Sequence, residues 1–159
     1  NCTVYPNSSC SRPVWYAGHS IRSGLGVEVA TVDIGGWDTH DDQGAGGGAT
    51  LSQGARLADF SGGIRAFYND LGPLMSNVVL LTCMEFGRTV KQNASGGTDH
   101  GKASVWFVLG GGVKDGLYHG AAGFPSSLTD VNLDSGRYIR PDGRVSRPLL
   151  RCASVVSSK

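Results

Sequence analysis

Two short stretches of the chain each combine a carboxylate with an imidazole, and a third stretch contains a carboxylate alone. Asp38 and His40 are two residues apart and follow a Gly-Gly-Trp sequence. Asp99 and His100 are adjacent and flanked by glycines, and Glu85 lies between the two pairs. Imidazole combined with carboxylate is the ligand chemistry of Zn²⁺, Mn²⁺ or iron, whereas oxygen ligands alone suit Mg²⁺ or Ca²⁺. The sequence therefore predicts a metal site, provided that the fold brings these segments together.

Each candidate also has an interpretation without a metal. Asp38 could cap the turn that follows it. Glu85 could form a local salt bridge with Arg88, and the Asp-His pair at Asp99 and His100 could be a polar turn between glycines. The joint pattern favours the metal site, because three of the four histidines lie in Gly-flanked segments and two of these segments also carry carboxylates.

Three apolar runs, at 27–33, 78–82 and 104–109, predict strands that would place these residues. In an open α/β sheet, ligands bind at the carboxyl ends of the strands. The first strand runs into the segment that contains Asp38, and the second runs into the segment that contains Glu85. If the third strand is antiparallel, it begins at the same edge. We therefore expect the candidate ligands to meet at one edge of the sheet.

The run 51–71 has apolar residues at helical spacing, with Thr50 as N-cap and Gly72-Pro73 as the stop. A shorter helix is predicted at 14–25. A strand, a helix and a second strand in sequence form a βαβ unit, whose strands are expected to be parallel. The predicted fold is therefore a three-layer α/β sandwich with a mostly parallel or mixed sheet.

Composition excludes several classes of function. The chain has 159 residues, of which 40% are hydrophobic and 17% charged, and its net charge is +1. No basic stripe suggests nucleic-acid binding, and no apolar run approaches the roughly 20 residues of a membrane span. We divide the chain into a turn-rich segment at 1–13, an α/β domain at 14–135 and an irregular tail at 136–159.

The cysteines leave the redox compartment open. Cys2 and Cys10 bracket a turn-rich stretch and could close a small disulfide loop in an oxidising compartment. Cys83 ends an apolar run and is expected to be a buried free thiol. No CxxC spacing occurs, which argues against a zinc site built from the four cysteines.

Four motifs together resemble a bacterial family of sulfatase-like proteins that are exported by the twin-arginine route. They are Asp-Ile-Gly-Gly-Trp-Asp-Thr-His at 33–40, Ala-Phe-Tyr-Asn-Asp-Leu-Gly at 66–72, Glu-Phe-Gly-Arg at 85–88 and Gly-Gly-Thr-Asp-His-Gly at 96–101. The resemblance extends over roughly residues 14–125 and concerns the C-terminal part of that family. It implies an exported protein, periplasmic or extracellular, although the chain contains no signal-like segment.

The family is similar to the alkaline phosphatase and sulfatase superfamily, which holds a metal pair above an α/β sheet. The resemblance implies that Asp38, His40 and His100 hold one metal and that Glu85 is a ligand of the second. Asp99 would be a ligand or the hydrogen-bonding partner of one; alternatively, Asp99 and His100 are themselves the Asp-His-Gly element of the superfamily. The nucleophile and the first metal-binding Asp of the superfamily lie on earlier segments, so an alkaline-phosphatase-like domain without its N-terminal strands is expected.

The predicted function is metal-dependent hydrolysis of small phosphate or sulfate esters by a metal-activated water. Asp38, Glu85 and Arg88 are the predicted catalytic residues, with Arg88 gripping the anionic ester at two points and the amides near Gly96 and Gly97 supplementing it. Zn²⁺ is the expected cofactor, with Mn²⁺, Mg²⁺ or Ca²⁺ as alternatives.

Two rival functions remain open at this stage. One is a metal-binding or scaffolding remnant without turnover. The other is a Ser or Cys hydrolase that uses Ser104 or Cys83, although no Gly-x-Ser-x-Gly elbow is present. An exposed sheet edge left by missing strands would also favour self-association of the chain.

Overall fold

The computed structural model describes residues 4–44, 52–101, 104–117, 133–134, 137–138 and 153–157. Two α-helices and a four-stranded sheet form its centre, accompanied by a 3₁₀-helix and two small strand pairs. In chain order the elements are α1 (Ser11–Arg22), β1 (Val29–Val32), α2 (Gln53–Leu71), the 3₁₀-helix (Gly72–Asn77), β2 (Val78–Leu81), β3 (Gly87–Arg88), β4 (His100–Gly101), β5 (Val108–Gly110), β6 (Leu133–Asp134), β7 (Arg137–Tyr138) and β8 (Ala153–Ser157).

Helix α1 begins earlier than the sequence predicted. The hydroxyl of Ser8 accepts a hydrogen bond from the N–H of Ser11 at 3.0 Å, which satisfies one N–H of the first turn. Pro13 lies within that first turn, where its missing N–H costs no helical hydrogen bond. The helix therefore starts inside the segment that we had assigned to 1–13, and it ends at Arg22.

Helix α2 ends where the sequence predicted. Its N-cap is Ser52, whose side chain accepts from the N–H of Ala55 at 3.2 Å. Thr50, the predicted N-cap, lies outside the described residues. Gly72 follows the last residue of the helix with φ +50, a conformation that glycine adopts without strain. The predicted Gly-Pro stop is thus confirmed.

The main sheet has the strand order β1-β8-β2-β5, and every pairing in it is antiparallel. Val156 of β8 lies opposite Val29 of β1 on one side and opposite Val79 of β2 on the other. Leu80 of β2 lies opposite Leu109 of β5. Since β1 and β2 are both antiparallel to β8, they point in the same direction without being neighbours.

The predicted fold class is therefore wrong. The βαβ interpretation predicted parallel strands, and β1 and β2 do point in the same direction, but β8 lies between them and pairs antiparallel with both. Strand β8 also comes from the stretch at 136–159 for which an irregular tail was predicted. The suspected antiparallel direction of the third strand, β5, is confirmed.

Both described α-helices pack on one face of the sheet, which gives two layers rather than the predicted three. The core contains Phe67 and Val78, each 1% exposed, together with residues from α1 and the 3₁₀-helix. Its buried members are Val14, Ala17, Phe67, Leu71, Met75, Val78 and Leu80. Among the described residues, no helix has the length and apolarity that crossing a membrane requires.

Candidate metal centre

The segment after β1 is fixed against helix α2. The guanidinium of Arg56 donates to the carbonyl oxygen of Gly35 at 2.9 Å. Gly36 has φ +86, and a Cβ at this position would overlap the Arg56 guanidinium. The ring of Trp37 packs edge-on against Phe60 of α2, with a centroid distance of 5.8 Å. These contacts set the direction in which the next residues leave the sheet.

The short strands β3 and β4 bring the second and third candidate segments together. They pair antiparallel, with Arg88 opposite His100. The N–H of Thr89 donates to the carbonyl oxygen of Asp99 at 2.9 Å and extends this pairing by one residue. Arg88 and His100 are therefore held side by side although they are distant in sequence.

Asp38, His40 and His100 form a cluster that fits a divalent metal ion. Oδ1 of Asp38 lies 3.0 Å from Nε2 of His40 and 2.8 Å from Nε2 of His100. One ligand atom from each of the three residues lies within 4.8 Å of the other two. Ligands about 2.0–2.1 Å from Zn²⁺ lie about 3.3 Å apart in a tetrahedron. The three side chains can therefore converge on one cation after small adjustments.

Each imidazole of the cluster is held from a second side. Nδ1 of His40 lies 3.0 Å from Oδ1 of Asp99, so we assign the ring proton to Nδ1. With Nδ1 protonated, Nε2 could present its lone pair to a metal ion bound between it and Oδ1 of Asp38, which is the form that a metal ligand requires. The ring of His100 stacks on Phe86, with centroids 3.9 Å apart and planes 18° from parallel.

Arg88 ties the loops of the cluster to one another. Its Nη1 donates to Oδ1 of Asp38 at 2.6 Å, and its Nη2 donates to the carbonyl oxygen of Thr39 at 2.6 Å. Nη2 also donates to the carbonyl oxygen of Thr98, and Nε donates to the Thr98 hydroxyl at 3.0 Å. Four of the five N–H groups of the guanidinium are thereby used. The two-point grip on an ester that we predicted for Arg88 is not available in this arrangement.

Gln43 completes the polar network beneath the cluster. Its Oε1 accepts from the hydroxyl of Thr39 at 2.9 Å and from that of Thr98 at 2.8 Å. The Thr98 hydroxyl uses its single proton in the bond to Gln43, so its oxygen acts as the acceptor for the N–H of Arg88 Nε. Thr39 is buried, 6% exposed, so these bonds are shielded from water on that side.

The two carboxyl groups of the site are stabilised in the ionised form. The hydrogen bond from His100, followed by that from Arg88, lowers the pKa of Asp38 below its usual value. For Asp99, hydrogen bonds from His40 and from Asn93 lower the pKa in the same way. The side chains of Asp38 and Asp99 are 54% and 59% exposed, so the site is open to solvent and to a ligand.

The structure unites most but not all of the predicted site residues. Asp38, His40 and His100 meet, and Asp99 lies behind His40 as its hydrogen-bonding partner. Glu85, for which the resemblance implied a second metal, is exposed and does not belong to this cluster of ligand atoms. Strand β3 begins two residues after Glu85. Its pairing with β4 therefore includes Arg88, which lies opposite His100, and does not include Glu85.

The predicted anion site at the amides near Gly96 and Gly97 is also wrong. The N–H of Gly97 donates to the side chain of Asn93 at 2.9 Å, and that of Gly96 donates to its carbonyl oxygen at 3.3 Å. Sequence analysis assigned no role to Asn93 or to Gln43. Both lie just outside the motifs, Gln43 after the first and Asn93 between the last two, and an amide side chain has no spacing that marks its partners.

In the residues that the structure describes, two helices pack on an antiparallel sheet, and the segment after β1 and the β3–β4 pair form a candidate metal centre. Comparison with protein families adds one finding. Residues 21–126 match the family described as protein of unknown function (DUF1501), and the chain belongs to that family. No curated protein and no solved structure matches the chain.

Proposed function

We propose that the chain binds one divalent metal ion through Asp38, His40 and His100 and hydrolyses phosphate or sulfate esters there. One observation carries the proposal: a single carboxylate oxygen, Oδ1 of Asp38, lies within 3.0 Å of two imidazole Nε2 atoms. Catalytic zinc sites use three protein ligands and keep one position open, and His₂-carboxylate is one of the known combinations.

The identity of the metal follows from the donors. Two imidazoles and one carboxylate favour Zn²⁺ or Mn²⁺ over Mg²⁺ and Ca²⁺, which prefer oxygen ligands. Such a cation would supply Lewis-acid activation of a water and of the ester oxygen. The resemblance of the sequence motifs to sulfatase-like proteins supports phosphate or sulfate esters as substrates, and the exposure of the cluster leaves room for them.

The residues around the ligands have positioning roles in this proposal. Asp99 holds the His40 ring so that Nε2 faces the ion, and Phe86 fixes the plane of the His100 ring. Arg88 holds Asp38 in place and partly neutralises its charge, which replaces the substrate-gripping role predicted from sequence.

A metal-binding module without turnover is the second candidate. It is favoured by the commitment of Arg88 to the loops and by the position of Glu85 outside the cluster. Both residues were predicted to be catalytic. The two candidates share the metal site and differ only in catalysis.

The test combines metal binding with ester hydrolysis. We would measure metal content and Zn²⁺ affinity of the purified chain, and then hydrolysis of nitrophenyl phosphate and of a nitrocatechol sulfate with and without a chelator. His100→Ala should abolish binding and activity. His19→Ala is the matched control, because His19 lies on α1 and stacks on Trp15, away from the cluster.

The outcomes separate the candidates. Bound metal together with hydrolysis that disappears on chelation supports the ester hydrolase. Metal that binds through His100 without any hydrolysis supports the non-catalytic module. Wild-type protein that binds no divalent metal rules out both proposals.

A further inference from the structure

We infer that Asn93 is a further positioning residue of the metal site, and that its side-chain amide sets the orientation of the ligand His40. The inference rests on the proposed metal-binding function and concerns the same site. Asn93 lies in the loop between β3 and β4, and its side chain is partly buried rather than directed into solvent.

The side chain of Asn93 uses its full hydrogen-bonding capacity within the site. Nδ2 donates to the carbonyl oxygen of His40 at 2.7 Å and to Oδ1 of Asp99 at 3.1 Å. Oδ1 accepts from the N–H groups of Ser95 at 3.0 Å and Gly97 at 2.9 Å. An amide offers two donors and two lone pairs, and each of them has a partner here.

The two hydrogen bonds that Asn93 donates act on His40 at its backbone and, through Asp99, at its ring. The bond to the carbonyl oxygen of His40 fixes the backbone from which the ligand extends. The bond to Asp99 reaches the same oxygen, Oδ1, that pairs with Nδ1 of the His40 ring. Because Asp99 is largely exposed, water would otherwise compete for this carboxylate and let it rotate. Asn93 therefore determines where Nε2 of His40 lies.

The two acceptor bonds have a separate task. They fold the loop so that Gly97 lies directly against the backbone of His40, where a Cβ would overlap the His40 carbonyl group. The N–H of Asn93 itself donates to the carbonyl oxygen of Gly97 at 2.9 Å and closes the same turn. The donor half of the amide thus orients the ligand, and the acceptor half shapes the loop.

Aspartate at position 93 separates these two tasks. Asn93→Asp has nearly the same shape and keeps both acceptors for the loop, but it loses both donors and places a carboxylate beside Asp99. Asn93→Ala loses both halves. Gln92→Ala is the matched control, since Gln92 bonds the carbonyl oxygen of Gly96 at 3.1 Å in the same loop and does not contact a ligand.

The experiment is a Co²⁺ and Zn²⁺ titration of the full chain and the three variants. Affinity is measured by competition with a chromogenic chelator in about 0.5 M NaCl, which screens the charge added by aspartate. The visible spectrum of bound Co²⁺ reports the arrangement of the ligands. We expect both Asn93 variants to bind about 10- to 100-fold more weakly than wild type and to alter the Co²⁺ spectrum. Gln92→Ala should retain the wild-type affinity and spectrum.

The failures can be told apart. If wild-type protein binds neither ion, the proposed function and this inference both fall. If wild type binds and Asn93→Asp matches it in affinity and spectrum, the metal site stands and the inference is overturned. Should Asn93→Ala not fold, Asn93→Asp alone decides the question, because its loop acceptors are intact.

Discussion

Arg88 and Asp38, which are 50 residues apart in sequence, meet with Nη1 of the arginine 2.6 Å from Oδ1 of the aspartate. This oxygen is also the one that approaches both imidazoles of the candidate metal centre. The guanidinium in turn reaches carbonyl oxygens on both loops that flank the site. Arg88 therefore links the geometry of a ligand to the packing of the segments that carry it.

Replacing Arg88 should destabilise the loops around the candidate metal centre. Arg88→Lys keeps the positive charge but cannot reproduce bonds to Asp38, Thr39 and Thr98 at once, because an ammonium lacks the planar fork. We expect the free energy of unfolding to fall by about 2 kcal/mol in urea denaturation. Arg65→Lys, at an exposed position of α2, should change it little. Equal stabilities of the two variants would contradict the role of Arg88 in joining the loops.

Removing the negative charge of Asp38 should weaken metal binding more than any other isosteric change in the loop. Asp38→Asn keeps the shape of the side chain but loses the anionic ligand. We expect at least about 100-fold weaker Zn²⁺ binding by chelator competition. Asp41→Asn is the control, since Asp41 is exposed and contributes to the loop through a backbone bridge with Gly96. A comparable loss in both variants would point to general electrostatics instead of ligation.

A side chain at position 97 should force the two loops apart. A Cβ on Gly97 would overlap the backbone of His40, so Gly97→Ala should cost about 1–3 kcal/mol in stability and also lower the metal affinity. Gly35→Ala, where a Cβ meets nothing within 4 Å, should be tolerated. Thermal unfolding with and without Zn²⁺ measures both effects. A Gly97→Ala protein as stable as wild type would show that the loops need not touch.

Cys10 should react slowly with alkylating reagents. Burial, and then the carboxylate of Asp59, raises the pKa of its thiol from 9.0 to about 11, which favours the neutral form in the folded chain. At about pH 8 the reactive thiolate is then about 100-fold less abundant than at an ordinary cysteine. We would reduce the protein, treat it with iodoacetamide and follow Cys10 by peptide mapping. The control is the synthetic peptide 4–16, in which Cys10 is the single cysteine and should react at the ordinary rate.

A fast reaction of Cys10 in the folded protein would place it at the surface and contradict its 3% exposure. The structure records Cys10 as a free thiol. The disulfide between Cys2 and Cys10 stays a prediction, because Cys2 lies outside the described residues. Alkylating reduced and unreduced samples in denaturant would reveal such a bond as protection that reduction removes.

Local chemistry was enough to predict part of this structure from the sequence. The end of α2 follows from Gly72-Pro73, because glycine takes the positive φ and proline cannot continue the helix. The apolar run at β2 gives a strand with buried Val78 and Leu80. Asp38, His40 and His100 were identifiable as candidate ligands because their donor chemistry is a property of the residue types themselves.

The tertiary structure decided what depends on partners distant in the chain. Whether β1 pairs with β2 or with β8 depends on which backbone hydrogen-bonding groups meet in space, and no local pattern encodes that choice. Likewise, β3 pairing placed Arg88 at the site and left Glu85 outside. The amide of Asn93 acquired its role only once His40 and Asp99 had been folded against it, since a hydrogen bond needs both its donor and its acceptor in position.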